Sequence, residues 1–226
     1  MNIWIIMILV MVVSLLVQGM LQSRFEKYSK VGLPNGMTGA EVAEKMLRDH
    51  GIYDVKVVPT RGMLTDHFNP QTKTVALSEG VYASRSVAAA AVAAHECGHA
   101  VQHAQGYAPL RMRSALVPLV NFSSQAASWL IIIGLIMTAS SGSQLMCWIG
   151  VGLMCVSALF SFITLPVEYN ASSRALDWLR STRTLDDSQM EGATISLRWA
   201  ARTYLVAALS AIATLLYYLG FARNRD

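Results

Sequence analysis

Charge is what this chain has least of. Asp, Glu, Lys and Arg together make 14% of its 226 residues, against 54% hydrophobic, and the mean hydropathy is +0.40. That excludes an ordinary soluble domain, in which about a quarter of the residues are charged. Cysteine is scarce as well: Cys97, Cys147 and Cys155 are the three present. The last two are eight apart on one apolar stretch and cannot bridge each other on a helix, so there is no disulfide framework and the usage agrees with a reducing compartment. Internal repeats and low-complexity tracts are absent. The net charge is +4, yet no basic stripe with interleaved aromatics exists, which excludes nucleic acid as a partner. The excess of positive charge is instead explained by contact with a membrane surface.

The apolar residues come in blocks, and four are candidate membrane spans. Residues 3–19 carry only Ser14 and Gln18 as polar side chains, just enough length for a hydrocarbon core of about 30 Å. Residues 117–139 and 144–165 form a pair without a charged residue in either span or in the Ser140–Ser143 connection, and residues 204–221 make the fourth. The first block lacks a basic leader and a small-x-small cleavage site, so it reads as an uncleaved anchor rather than a signal peptide. The first half of residues 117–139 holds Asn121, Ser123, Ser124 and Gln125, expensive against lipid, which predicts that this half faces protein or lies at the interface.

Orientation follows from the basic flanks. Arg24, Lys27 and Lys30 follow the first span; Arg111 and Arg113 precede the second; Arg174, Arg180, Arg183, Arg198 and Arg202 lie between the third and fourth. These segments are expected on the cytoplasmic side of a bacterial inner membrane, with both termini outside, although Arg223 and Arg225 pull weakly the other way. The cytoplasmic part is then residues 22–114 with residues 166–202. Within it, Thr38-Gly39-Ala40-Glu41 reads as a capping box opening a helix to about His50 that Gly51 ends. Tyr53 to Val58 reads as a strand, and Asp66 to Leu77 as two short strands around an Asn-Pro turn. Asp186, Asp187 and Glu191 read as a solvated face.

The chemistry concentrates in His95-Glu96-Cys97-Gly98-His99. Ser86 to Ala94 is a strong helix former, and on a helix residues four apart stand about 6 Å apart on one face, so both imidazoles reach one metal ion. Glu96 can meet a water on that metal; zinc lowers the pKa of such a water to roughly 7, and a carboxylate takes its proton as it attacks a polarised carbonyl. His103 continues the four-residue rhythm but stands about 12 Å from His95 on an unbroken helix. No glycine among Ala100, Val101 and Gln102 allows a reversal, so His103 is expected near the helix C-terminus and outside the site. The third ligand must come from elsewhere.

Two spans carry the chain out and back, and the first acidic residue on its return is Glu168, after Pro166, which is expected to begin a helix. Ala171, Ser172 and Ala175 share its face and would permit close packing. A carboxylate there would also suit a helix N-terminus, but the paired topology favours a ligand. His67 and Tyr82 are candidates for stabilising an oxyanion, although each is more often a surface or packing residue.

His95 to His99, Leu77-Ser78-Glu79, Val81-Tyr82, Arg85-Ser86 and Pro166-Val167-Glu168-Tyr169-Asn170-Ala171-Ser172 resemble the YugP-type bacterial membrane zinc metallopeptidases over nearly the whole chain. A more distant resemblance is to the HtpX-type membrane proteases, in which an aspartate often follows the ligand glutamate by four positions; here that place holds Ser172. The expectation is therefore a mainly α membrane protein with four transmembrane helices and a small α+β, zincin-like cytoplasmic part. It is expected to be a Zn²⁺-dependent endopeptidase in which His95, His99 and Glu168 bind the metal and Glu96 is the general base. Its partners would be a peptide or membrane-protein substrate and the lipid bilayer. Two other readings are an intramembrane protease and a non-catalytic zinc-binding membrane adaptor. The segment before His95 is too short and weakly apolar to span, and retention of Glu96, which is not a ligand, speaks against the adaptor.

Overall fold

The computed structural model describes residues 3–141 and 145–223. Seven helices and three strands follow one another among them: α1 (Ile3–Ser29), α2 (Gly39–Asp49), β1 (Lys56–Thr60), β2 (His67–Asn69), β3 (Thr74–Ser78), α3 (Glu79–Tyr82), α4 (Val87–Ala104), α5 (Ala108–Ser141), α6 (Leu145–Ser181) and α7 (Asp187–Arg223). The chain divides into two compact units. One gathers the chain up to Leu15, Arg111–Leu165 and the chain from Thr203; the other comprises Leu16–Leu110 and Pro166–Arg202.

Four helices are long and apolar enough to cross a membrane: Trp4–Ser29, Ala108–Gly134, Leu145–Ser181 and Asp187–Gly220. Over the described residues, each apolar block is thus part of a longer helix. Pro166 does not begin a helix: α6 runs straight through it, as α5 runs through Pro118. Proline's fixed φ suits a helix, and its penalty is one missing hydrogen bond with local crowding, which the rest of a long helix absorbs. The junction at Pro166 is real in another sense, since the seam between the units falls between Leu165 and Pro166. The end of the Ser140–Ser143 connection, residues 142 and 143, lies outside the described residues.

In the first unit α5 and α6 meet closely at glycines. A Cβ on Gly150 would stand 2.7 Å from Ile131 Cγ1, and one on Gly134 only 2.6 Å from the Cys147 backbone nitrogen. Small residues at such crossings let backbones approach where no hydrophobic effect drives helices together. Of the polar residues early in α5, Ser123 alone is buried, while Asn121, Ser124 and Gln125 are exposed. Ser124 meets its cost within its own helix, its hydroxyl donating to the Val120 carbonyl at 2.5 Å.

In the second unit the sheet order is β1-β3-β2, with β1 parallel and β2 antiparallel to the central β3. Strand β1 starts at Lys56, three residues later than Tyr53, because pairing with β3 begins at Lys56 and Thr74. Pro59 is tolerated there because β1 is an edge. Helix α2 opens on the expected capping box: Thr38 N–H donates to Glu41 Oε2 at 2.7 Å and Glu41 N–H to Thr38 Oγ1 at 3.2 Å. It closes before Gly51, whose φ of +70° lies in the left-handed region that favours glycine. The core joins Val42, Met46 and Leu47 of α2, Val75 and Leu77 of β3, the alanines of α4, and Ala175, Leu179 and Leu197. Alanine makes α4 narrow, so neighbours can cover nearly all of it.

Candidate metal centre

Helix α4 carries the motif. Ser86 caps its start by accepting from the Ala89 N–H at 3.2 Å, and the helix persists to Ala104; the chain reverses only after it, at Gly106, with φ +65°. His103 is therefore exposed near the last turn, its ring against Phe68 with centroids 5.8 Å apart. His95 and His99 stack edge to face, their centroids 4.9 Å apart.

Glu168 arrives from α6, and a glycine allows it to come so near. A Cβ on Gly98 would stand 2.6 Å from the Ala171 carbonyl oxygen, so α4 and α6 touch backbone to backbone between the two histidines' turns. Ala171, Ser172 and Ala175 are all buried at this contact, as the run of small residues requires. Glu168 Oε2 lies 3.2 Å from His95 Nε2 and 3.5 Å from His99 Nε2. One donor atom from each of the three lies within 4.8 Å of the others. Two imidazole nitrogens and one carboxylate oxygen converging from two helices are the donor set of a hydrolytic zinc site, and these residues fit that metal.

The outward ring nitrogens are occupied. His95 Nδ1 is 3.1 Å from Ser172 Oγ, so the serine in the aspartate's place makes this contact itself. His99 Nδ1 is 3.0 Å from Gln102 Oε1. Gln102 is completely buried and reaches across to α6. Neither role was read from the sequence, although a glutamine three residues after a helical histidine is a visible signal. Burial of His99 disfavours its charged form, but its hydrogen bond to Glu168 and the charges of Glu96 and Glu168 prevail and raise its pKa above the ordinary imidazole value. The Cys97 thiol is pushed well up by burial and by Glu96, which leaves it inert within the motif.

Glu96 is buried, and among the described residues its carboxylate has no hydrogen bond or ion pair. Its oxygens are not among the buried polar atoms cut off from a partner, so the carboxylate keeps access to water, and its charge acts on His99. His67 is exposed with Nδ1 2.8 Å from the Thr65 carbonyl, and Tyr82 packs on the core. No hydrogen bond or ring contact among the described residues joins either to the cluster.

Fold and site together define a chain of membrane-length helices with a His-His-Glu cluster that could hold zinc. The chain belongs to the family described as "Putative neutral zinc metallopeptidase", which matches residues 3–223. It is similar to the Bacillus subtilis (strain 168) protein named "Putative membrane protease YugP", with 43% identity over 206 residues, 91% of this chain and 90% of that protein. No solved structure matches it.

Proposed function

We propose that this protein is a zinc endopeptidase anchored in the bacterial inner membrane by four helices and hydrolysing peptide bonds on the cytoplasmic side. The convergence of His95, His99 and Glu168, with Glu96 next to His95 on the same helix, carries this reading. His95 and His99 would offer Nε2 and Glu168 its carboxylate to the metal. Zinc, when bound, lowers the pKa of water to about 7 and polarises a carbonyl. Glu96 takes a proton from the attacking water and hands it to the leaving amine. Helix α4, which carries three of these four residues, is not among the helices long and apolar enough to span, which favours peptide hydrolysis outside the bilayer over an intramembrane site. The free edge of β2, beside α4 through Phe68 and His103, suits an extended peptide or the loop of a membrane-protein substrate, bound by strand addition.

The test is metal analysis and hydrolysis of a mixed fluorogenic peptide library by the purified full-length chain. The wild type and Glu96→Gln should hold about one zinc ion per chain, and Glu96→Gln should lose about 10²-fold or more in rate. His95→Ala, His99→Ala and Glu168→Ala should lose the metal. Full zinc content in Glu168→Ala, or undiminished hydrolysis by Glu96→Gln, would overturn the proposal.

A further inference from the structure

We propose that Gln102 is a positioning residue of the metal centre: its side-chain amide selects the His99 tautomer that leaves Nε2 free for metal, and fastens that ring to the helix bearing Glu168. The inference rests on assigning zinc to His95, His99 and Glu168.

The hydrogen-bond inventory fixes each orientation in turn. Arg174 can only donate, so its 2.7 Å bond from Nε makes Asn170 Oδ1 an acceptor. Gln102 Nε2 lies 2.9 Å from that same oxygen and 2.8 Å from the Val167 carbonyl oxygen. Both partners accept, so the amide nitrogen must face them. A flipped amide would set an oxygen against two oxygens. Gln102 Oε1 is then the atom facing His99 Nδ1 at 3.0 Å, and an amide oxygen only accepts. The proton of neutral His99 therefore resides on Nδ1, and the lone pair on Nε2, the nitrogen that faces Glu168. A partner on the outer nitrogen sets both ring orientation and ligand basicity.

The same amide ties two elements together. Its donor half grips α6 one residue before Glu168 and two residues after it. Arg174 adds a second tie, Nη1 donating to Gln105 Oε1 just past the end of α4 at 2.7 Å. Complete burial of Gln102 keeps water from substituting for any of these bonds.

A structural strut and a positioning residue separate in two substitutions. Gln102→Leu loses both halves of the amide. Gln102→Glu loses both donations to α6 but keeps an oxygen before His99 Nδ1. In the full-length protein both should lower the melting temperature of the metal-free form. Zinc affinity, read by competition with a chelator, should fall about 10- to 100-fold in Gln102→Leu and less than about threefold in Gln102→Glu. ¹⁵N-histidine spectra of the metal-free wild type at alkaline pH should show His99 protonated at Nδ1, a measurement that decides the matter even if Gln102→Leu fails to fold. Protonation at Nε2, wild-type zinc affinity in Gln102→Leu, or equal losses in both variants would overturn the inference. Retention of zinc by His99→Ala would instead overturn the site assignment. Loss of zinc by His99→Ala with wild-type affinity in Gln102→Leu would remove only the role of Gln102.

Discussion

Gly98 is the smallest side chain in the motif and the one that sets its geometry. With only 2.6 Å between its would-be Cβ and the Ala171 carbonyl, Gly98→Ala must push α6 from α4 and draw Glu168 off both histidines. We expect at least tenfold weaker zinc binding and a stability loss of about 1–3 kcal/mol from overpacking, measured by chelator competition and thermal melts. His103→Ala should leave zinc content unchanged, because that ring lies against Phe68 rather than in the cluster; metal analysis checks it. The pH dependence follows from His99. Its raised pKa means that the native metal-free state holds the proton more tightly than the unfolded chain. That contribution to stability is complete below the ordinary value of 6.5 and is lost as pH rises through the raised one. Zinc competes for the same lone pair, so its affinity should climb over that interval, at least about tenfold between pH values of roughly 6 and 8 in chelator competition.

Among the elements, α2 and α6 are joined at Asp49, which accepts from Trp178 Nε1 at 3.0 Å and from Lys45 Nζ at 2.7 Å. Asp49→Ala should cost about 1 kcal/mol, seen as a lower melting temperature, since the carboxylate is partly exposed and its bonds are charge-assisted. The ends of α2, the β2–β3 hairpin and the whole of α4 were legible in the sequence because caps, turn residues and helix formers act locally. Glu168 was legible as the first acidic residue after the paired apolar stretches, and it lies with both histidines. The passage of α6 through Pro166 was not, since proline's local penalty is outweighed by contacts distributed along 37 residues. Nor was the start of β1, which is decided by pairing with β3. Gln102 and Ser172 escaped because their partners lie on another helix, at distances no spacing rule encodes.

For the whole molecule, the basic flanks and the site make a joint demand: every segment that contributes to the cluster must lie on one side of the bilayer. Single cysteines at the exposed positions Met63 and Asp187, in a chain lacking Cys97, Cys147 and Cys155, should resist an impermeant thiol reagent in intact cells and react after permeabilisation. A cysteine in the Ser140–Ser143 connection should react in both. Reaction at Asp187 but not at Met63 before permeabilisation would put the ligands on opposite faces. Helix α4 adds a consequence in time rather than space. From Val87 to Gln102 every residue except Val92 and His95 is buried, and those two are partly so, so its amides should be among the last in the second unit to exchange with deuterium, slower than those of the exposed loop around Met63. The two histidines would then ride on the part of this unit that opens least often, and metal could come and go without the fold around it ever coming apart.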